Sequence, residues 1–428
     1  MPAHVLASVL AAAWPFLLAA WFGAGRATDL FYAAQAASLL VVALAAGAFQ
    51  DSAVVPRLAR VREQEGASAE SAVVAALQRI ALVLGLAIAA LFALVGAVYM
   101  HLVFEANPLE LLAFVVPFAV AAPMMTMRSL MVACLQSRGG LAVPRMVDGL
   151  SIGLSALVVL CTHRSWGMAA VPVALMVGEL GAASLATVLA RRAGVGVLQF
   201  GSPSHPHARE LLRLVCSEAL GGAFTRVNPV IDQACVRAVG VVGAVTHVKY
   251  ASDIAGVPSS VVGSALVPAL FLMMSEHYAK GDVAGLARVA RRGAAQIAAL
   301  LIVASLAVYV LRVPLITLLF GHGKMSGADL QAIVAILPWG LANAVPLALM
   351  MLYVRANIAI GNSGIMWRVG LLNASLNIVL DVALGRLWGV GGVVLGTAVT
   401  HGVVAIVLYV LYRRASALLG RSGRVTET

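Results

Sequence analysis

Long apolar stretches follow one another along almost the whole chain, separated by short polar segments. Each is long enough for a helix to cross roughly 30 Å of hydrocarbon. The stretches lie near residues 3–22, 30–50, 73–103, 109–136, 144–162, 167–190, 211–238, 243–274, 290–311, 328–356, 363–384 and 388–412. This pattern predicts an all-α integral membrane protein with about 12 transmembrane helices. The first stretch lacks a basic leader and a small-residue cleavage site, so we expect it to be a span rather than a removable signal.

The chain repeats itself. Two groups of residue types return in the same order about 220 positions later. The pairs are Gly25 and Gly243, Thr28 and Thr246, Tyr32 and Tyr250, Ala33 and Ala251, Arg145 and Arg368, Trp166 and Trp388, Gly167 and Gly389, and Val171 and Val393. Two similar membrane halves are typical of transporters that work by alternating access. The repeat therefore predicts two six-helix lobes.

Composition agrees with a membrane protein, since 62% of the residues are hydrophobic and 11% are charged. A soluble domain could not bury so much apolar surface, so membrane lipids are the expected surroundings. The net charge of +11 would suggest nucleic acid in a soluble protein. In a membrane protein it marks cytoplasmic loops instead, and we expect no nucleic-acid partner. The four cysteines show no CxxC or metal-ligand spacing and are interpreted as packing residues.

Loop charges predict the orientation. Loops after even-numbered spans, with the tail, hold nineteen Lys and Arg residues, against five in loops after odd-numbered spans. Because basic residues mark cytoplasmic loops, both termini should be cytoplasmic, in a bacterial inner membrane. The predicted domains are an N-terminal lobe at 1–195, a cytoplasmic linker at 196–210, a C-terminal lobe at 211–412 and a cytoplasmic tail at 413–428. Segments 57–72 and 276–292 mix charged and apolar residues and should lie along the membrane surface.

Charged and polar residues inside the predicted spans are the candidate substrate-binding residues, since buried charge usually faces a cavity or a partner. The richest stretch is in spans seven and eight, where Lys249 and Asp253 are close enough to pair. The candidates there are Glu218, Arg226, Asp232, Gln233, Lys249 and Asp253. One interpretation is a polar cavity wall that contacts an anionic or polar head group. The other is internal salt bridging that holds the second lobe together.

Weaker candidates lie elsewhere. Arg128 has no carboxylate partner in its own span, and Arg26 lies in the first outer loop. Asp148 and Glu179 could satisfy helix ends or pair with loop arginines. Asn343, Asn373 and Asn377 are typical of hydrogen bonds between helices. Asp381 lies near the outer end of its span and is expected to be hydrated.

Catalytic motifs are not visible in the sequence. The nine histidines form no HExxH motif or metal pair, and there is no GxSxG elbow or Walker A loop. We therefore expect neither an enzyme nor a bound cofactor.

Three stretches resemble MviN/MurJ-type lipid II flippases. They are Phe22–Gly25 with Ala27–Asp29, Phe31, Gly47–Phe49 and Val55–Pro56; Leu319–Lys324 with Asp329; and Tyr250–Ala251 with Pro258–Ser259. This family belongs to the MOP exporter superfamily, together with MATE antiporters, so the resemblance implies two six-helix lobes that form a V around a central cavity. Of the family's cavity residues in the first block, Asp29 carries over and joins the candidates.

The chain departs from the family at residues that line the substrate cavity. Lipid II flippases line the cavity with arginines, whereas the matching positions here hold Ser8, Trp14, Val42 and Asp253, and two acidic partners are replaced by Ala46 and Gly256. The family usually has two further C-terminal spans. The remaining cations, Arg226, Lys249, Arg26 and Arg128, could still meet an anionic head group.

Three functions remain open at this point. The preferred one is a flippase that moves a lipid-linked, polyprenyl-type glycan or a peptidoglycan-precursor-like amphiphile across the cytoplasmic membrane, with envelope-glycan assembly proteins as possible partners. A MATE-like, ion-coupled exporter of small amphipathic metabolites or drugs is the second. A transport-inactive scaffold for envelope synthesis is the third.

Overall fold

The computed structural model describes residues 13–50, 54–140, 142–202, 206–212, 227–239 and 241–425. These residues form α-helices joined by short turns, and no strand occurs among them. Contacts divide the chain into two compact units, Met1–Val230 and Ile231–Thr428. The all-α fold class predicted from the sequence is confirmed, whereas the predicted domain boundaries remain a prediction.

Unit 1 contains eight helices among its described residues up to position 192. They are α1 (Ala13–Phe22), α2 (Arg26–Gln50), α3 (Val54–Glu65), α4 (Ala67–Phe104), α5 (Pro108–Phe114), α6 (Val116–Gln136), α7 (Val143–Trp166) and α8 (Ala170–Arg192). The core lies where α4, α6, α7 and α8 pack together, around Leu77, Leu130 and Val147. Leu211, from the segment after α8, also joins this core.

Seven further helices follow from residue 228 onward among the described residues. They are α9 (Asn228–Ala238), α10 (Ala244–Ala279), α11 (Val283–Val310), α12 (Arg312–Phe320), α13 (Gly327–Leu341), α14 (Ala344–Ala359) and α15 (Met366–Val425). Helix α10 contacts α11, α13 and α14, and α14 packs along α15. Leu286, Ile297 and Leu352 are fully buried in the core that these contacts form.

Seven helical runs in the described residues are long and apolar enough to cross a membrane. They are Ala67–Phe104, Pro108–Gln136, Val143–Arg192, Ala244–Ala279, Val283–Val310, Gly327–Ala359 and Met366–Leu418. Large apolar side chains point outward from them; Leu102, for example, is 72% exposed. Exposed leucines are expected where lipid is the solvent.

The Trp-Gly pair of the sequence repeat has the same backbone geometry in both units. Gly167 ends α7 at φ 57° and ψ −142°, and Gly389 interrupts α15 at φ 61° and ψ −143°. Only glycine adopts this conformation without strain. Each pair therefore divides a long helical run into two of the predicted spans. The run Val143–Arg192 and the run Met366–Leu418 are each bent in this way.

The two segments expected to lie along the membrane surface differ from each other. The first contains a separate helix, α3, which packs Leu58 and Val61 onto the core of unit 1. In the second, α10 extends to Ala279 and α11 already begins at Val283. Asp282 starts α11 by accepting a hydrogen bond from the backbone N–H of Gly285 (2.7 Å). Arg288, Arg291 and Arg292 of that segment therefore belong to the first turns of a long helix.

Candidate functional site

An acidic cluster in unit 2 joins two helices that are distant in sequence. The side-chain amide of Asn377 donates one hydrogen bond to Asp232 Oδ1 (2.6 Å) and one to Asp381 Oδ2 (2.8 Å). The hydroxyl of Thr397 donates to Asp232 Oδ2 (3.3 Å). Asp381 and Asn377 are fully buried, while Asp232 is partly exposed. One amide thus holds two carboxylates side by side.

The cluster lies on the wall of a cavity of about 190 Å³ within unit 2. Asp232 and Thr397 line this cavity from α9 and α15. The other polar lining residues are Ser252, Ser259 and Asn343. Glycines at 256 and 340 leave room on the α10 and α13 sides. Since cavities of this kind with a few convergent polar groups are the usual binding sites, this one is the candidate site of unit 2.

The oxygen atoms of the cluster lack sufficient donors. Asp381 Oδ1 and Asn377 Oδ1 are buried and have no hydrogen-bond partner among the described residues. Two neighbouring carboxylates cannot both be ionised at low cost unless a positive charge lies between them. A shared proton would supply this charge, and so would a small hard cation, which prefers carboxylate, amide and hydroxyl oxygens. No group of three or more His, Cys, Asp or Glu residues suited to a metal occurs in the described parts of the chain.

Lys249 and Asp253 form the ion pair that their i, i+4 spacing predicts. Both side chains are about a third exposed, so they lie in reach of solvent or a ligand. Asp253 keeps one buried oxygen without a partner among the described residues, as does Gln233. The pairing is thus observed, while a role for these residues in substrate binding remains a prediction.

Arg128 is the centre of a charged cluster in unit 1. It contacts Asp148 Oδ1 (2.8 Å) and Glu179 Oε2 (3.1 Å), which belong to α7 and α8. Ser151 donates a hydrogen bond to the other oxygen of Glu179 (3.1 Å). The sequence suggested helix ends or loop arginines as partners for these two carboxylates. The structure instead pairs both with an arginine inside a neighbouring helix.

Arg26 forms a two-bond pair with Glu110, at 3.0 Å for each bond, and donates a third bond to the carbonyl of Glu105 (3.0 Å). Glu110 also closes a capping box with Asn107 at the start of α5. Asp29, one turn further along α2, is buried. Arg26 therefore ties the start of α2 to the start of α5, and its pairing leaves less of its charge for a head group.

A similar combination of a capping box and an ion pair occurs in unit 2. Asp329 closes a capping box with Ser326 at the start of α13 and binds His247 Nε2 (2.8 Å) at the start of α10. Neither pair was predicted. The signal for both is a capping-box pattern, which is Asn-x-x-Glu at 107–110 and Ser-x-x-Asp at 326–329.

Some expectations lie outside the described residues or are corrected. Glu218 and Arg226 fall in the segment 213–226, which the structure does not describe. Asp381 was expected to be hydrated, and this is wrong because it is fully buried against Asn377. The helix continues past Asp381 to Trp388, so the residue lies within the packed bundle rather than at its end. Asn377 forms the bond between helices that its residue type indicated, but its link to Asp232 was not foreseen.

These features define a multi-span membrane protein with repeated halves and polar clusters inside its helical bundles, which is the organisation of a transporter. A family model described as lipid II flippase MurJ matches residues 18–426. The chain therefore belongs to the lipid II flippase MurJ family, which confirms the resemblance seen in its motifs. No curated protein sequence matches the chain.

Solved structures share its fold. A lipid II flippase MurJ in an inward closed conformation aligns with a TM-score of 0.79 at 14% identity, over 99% of this chain and 90% of that one. An inward-facing multidrug resistance MATE transporter of the MOP superfamily aligns with a TM-score of 0.77 at 14% identity, over 98% and 96%. A MOP superfamily transporter from Pyrococcus furiosus gives 0.67 at 13% identity, over 98% and 93%. At these identities the likeness establishes the fold alone.

Proposed function

We propose that this chain moves a lipid-linked, phosphate-bearing glycan precursor across the bacterial cytoplasmic membrane by alternating access. The match to the lipid II flippase family over residues 18–426 is the observation that carries this proposal. The repeated halves and the polar clusters within the helical bundles support it, because transporters are often built from internal repeats and charged residues within membrane helices usually mark substrate or ion pathways. Envelope-glycan assembly proteins are proposed partners.

The head group would be attracted by cations that already have carboxylate partners. Lys249 pairs with Asp253, and Arg128 pairs with Asp148, which is 58% exposed. A phosphate group could replace such an exposed carboxylate, since its oxygens accept the same charge-assisted hydrogen bonds. We assign Lys249 and Arg226 to head-group binding, with Arg128 and Arg26 as further cationic positions. Asp253 and Asp148 are the carboxylates that the phosphate group would replace as partners of Lys249 and Arg128.

The acidic cluster is proposed to carry the coupling ion. Asp232 and Asp381 share one amide donor and have acceptor oxygens to spare, so they need a proton or a cation. Binding of that positive charge would favour one conformation of the transporter over another. Buried carboxylates with this role are common along ion pathways in membrane proteins.

A lipid-flip assay tests both assignments. The full chain would be reconstituted in vesicles that contain a fluorescent polyprenyl-diphosphate sugar, and accessibility of the sugar to an external quencher would be followed. Asp232→Asn should slow the flip by about 5–150-fold, the range that coupling energies span. Lys249→Gln and Arg226→Ala should weaken substrate binding and so raise the substrate concentration at which the flip rate is half-maximal. Glu63→Gln, an exposed carboxylate on α3, is the matched control and should leave the rate unchanged.

Imposed pH and sodium gradients identify the ion. If the flip rate depends on one of these gradients, and Asp232→Asn abolishes that dependence, the acidic cluster is supported as the binding site of the ion. A wild-type rate that ignores both gradients would refute ion coupling and leave the flippase proposal standing. Absence of any flip by the wild-type chain would refute the flippase itself.

A MATE-like exporter is the second candidate, because MATE transporters share this fold over 98% of the chain. Deletion of the gene discriminates between the two. Increased drug sensitivity with a normal cell wall would favour the exporter, whereas accumulation of a lipid-linked wall precursor would favour the flippase. Cell-wall function that survives loss of flipping in Asp232→Asn would favour a scaffold.

A further inference from the structure

Two cavities flank the first turns of α11, away from the acidic cluster. The first, of about 340 Å³, lies between α11 and the end of α15 and is lined by Arg291, Arg413 and three tyrosines. The second, of about 360 Å³, lies between α11 and α10 and is lined by His277 and Arg292. Arg288 borders both cavities. A connected basic surface therefore follows this end of α11.

The arginines of this surface form no ion pair among the described residues. Arg288, Arg291 and Arg292 are exposed, and no described carboxylate lies within ion-pair distance of them. Asp282, before the first turn of the helix, binds Gly285 and His277 and interacts with Arg288 only beyond ion-pair distance. Residues at i, i+3 and i+4 share one helical face, so their positive charges repel one another. An anion bound between them would relieve this repulsion.

Three tyrosines form an aromatic wall beside these charges. The ring of Tyr353 lies 5.2 Å from that of Tyr409 and 6.3 Å from that of Tyr412. Tyr412 is 3% exposed, and its hydroxyl has no hydrogen-bond partner among the described residues. The neighbouring Ser416 donates to the backbone carbonyl of Tyr412 instead. Because buried hydroxyl groups are normally hydrogen-bonded, that of Tyr412 is a candidate donor to a ligand in the cavity that this residue lines.

We propose that this surface, formed by Arg288, Arg291, Arg292, Arg413, Tyr409 and Tyr412, binds the phosphate group of an acidic phospholipid. Arginine matches phosphate with paired, charge-assisted hydrogen bonds. Basic pockets between membrane helices on the cytoplasmic side recognise anionic lipid head groups, and tyrosines are enriched at that depth. Leu270 and Met273 in the second cavity would contact the start of the acyl chains. A lipid is favoured over a soluble phosphate because apolar and aromatic side chains surround the charges.

Native mass spectrometry of the full chain in detergent tests the site, with dioleoyl phosphatidylglycerol as the probe and dioleoyl phosphatidylcholine as the neutral comparison. The wild-type chain should retain phosphatidylglycerol in preference to phosphatidylcholine. Arg288→Gln with Arg291→Gln should weaken that binding about tenfold or more, since each basic residue contributes to attraction of an anionic lipid. Tyr412→Phe, which keeps the ring and removes the hydroxyl, should weaken it by a smaller factor.

The matched control has the same change in net charge. Arg312→Gln with Arg414→Gln removes two arginines that line neither cavity, of which Arg414 is exposed and Arg312 is half-buried. It should leave phosphatidylglycerol binding unchanged. An equal loss in both double variants would overturn the proposal, because binding would then follow net charge alone. Release of the lipid by millimolar inorganic phosphate in the wild-type chain would also overturn it and assign the site to a soluble phosphate. If the double variant does not fold, unchanged binding in Tyr412→Phe and in single variants at 288 and 291 would overturn it.

Discussion

At the scale of single residues, a fully buried carboxylate holds part of unit 1 together. Glu70 on α4 is completely buried and accepts two hydrogen bonds from Arg138, at 3.1 and 2.9 Å. Arg138 also donates to the carbonyl of Ala193, after α8. Arg62 approaches the same carboxylate at 3.8 Å but is 48% exposed. The two arginines thus share one partner and differ in exposure.

Arg138→Gln should therefore destabilise the chain far more than Arg62→Gln. Removing one member of a buried pair leaves an uncompensated charge and costs about 3–5 kcal/mol. An exposed ion pair contributes about 0–1 kcal/mol. Thermal unfolding of the purified chain in detergent measures both variants. Equal decreases in Tm would show that Arg138 does not neutralise Glu70.

The Asp282 carboxylate should make the start of α11 sensitive to acid. The hydrogen bond from the Gly285 N–H lowers the pKa of Asp282, and His277 and Arg288 lower it further. A carboxylate with a lowered pKa stabilises the fold above its unfolded value of about 3.9, and this contribution disappears as the pH falls through the folded value.

Asp282→Asn isolates this charge, because asparagine caps helices as well as aspartate does. The wild-type chain should be the more stable of the two near neutral pH, and the difference in Tm should decrease as the pH falls below about 3.9 and through the lowered pKa of Asp282. A difference in Tm that stays constant as the pH falls would mean that the charge does not account for it.

Which residue contacts could be predicted depended on sequence distance. The Lys249–Asp253 pair was predicted because i, i+4 neighbours on a helix are fixed by local geometry. The bonds of Asp232 to Asn377 and Thr397 cross 145 and 165 residues and could not be read from spacing. Arg128 was likewise assigned no partner within its span, since both of its carboxylates come from other helices.

At the scale of helices, α7 and α8 pack closely because a glycine lies between them. A Cβ atom added at Gly178 would lie 2.5 Å from the backbone carbonyl oxygen of Ser151. Small residues at helix interfaces allow backbones to approach closely within membranes. Ser155 uses the same approach to donate a hydrogen bond to the carbonyl of Ala174 (3.1 Å).

Gly178→Ala should force the two helices apart and cost about 1–3 kcal/mol, the usual range for overpacking. Gly153→Ala is the matched control on α7, since a Cβ there meets nothing within 4 Å. It should be neutral or stabilising, because alanine favours a helix over glycine by about 0.5–1 kcal/mol. Thermal unfolding of the purified variants in detergent distinguishes the two changes. A Gly178→Ala chain as stable as the wild type would contradict the close packing of α7 and α8.

The helices show why a span count is harder to predict than a fold class. Apolar length predicted membrane helices throughout, and the described runs agree with this. The Trp166–Gly167 and Trp388–Gly389 breaks were visible in the sequence as repeat residues. The positive φ of Gly167 and Gly389 could not be predicted from the sequence, since glycine is also compatible with an unbroken helix. The described residues do not establish the count of twelve.

At the scale of the whole molecule, orientation in the membrane is a prediction that rests on loop charge. The nineteen-to-five distribution of basic residues places Ser202 and Lys280 in cytoplasmic loops and Lys324 in an external loop. The proposed phospholipid site adds a reason for this distribution. Arg288, Arg291 and Arg413 lie on the predicted cytoplasmic side, where acidic lipid head groups would meet them.

Cysteine labelling in intact cells tests the orientation. Cys134, Cys161, Cys216 and Cys235 would first be replaced by alanine, and the resulting chain is the unlabelled control. Lys324→Cys should then react with a membrane-impermeant maleimide from outside. Ser202→Cys and Lys280→Cys should react only after permeabilisation. The reverse pattern would place the arginine surface at the outer leaflet and would contradict the predicted orientation.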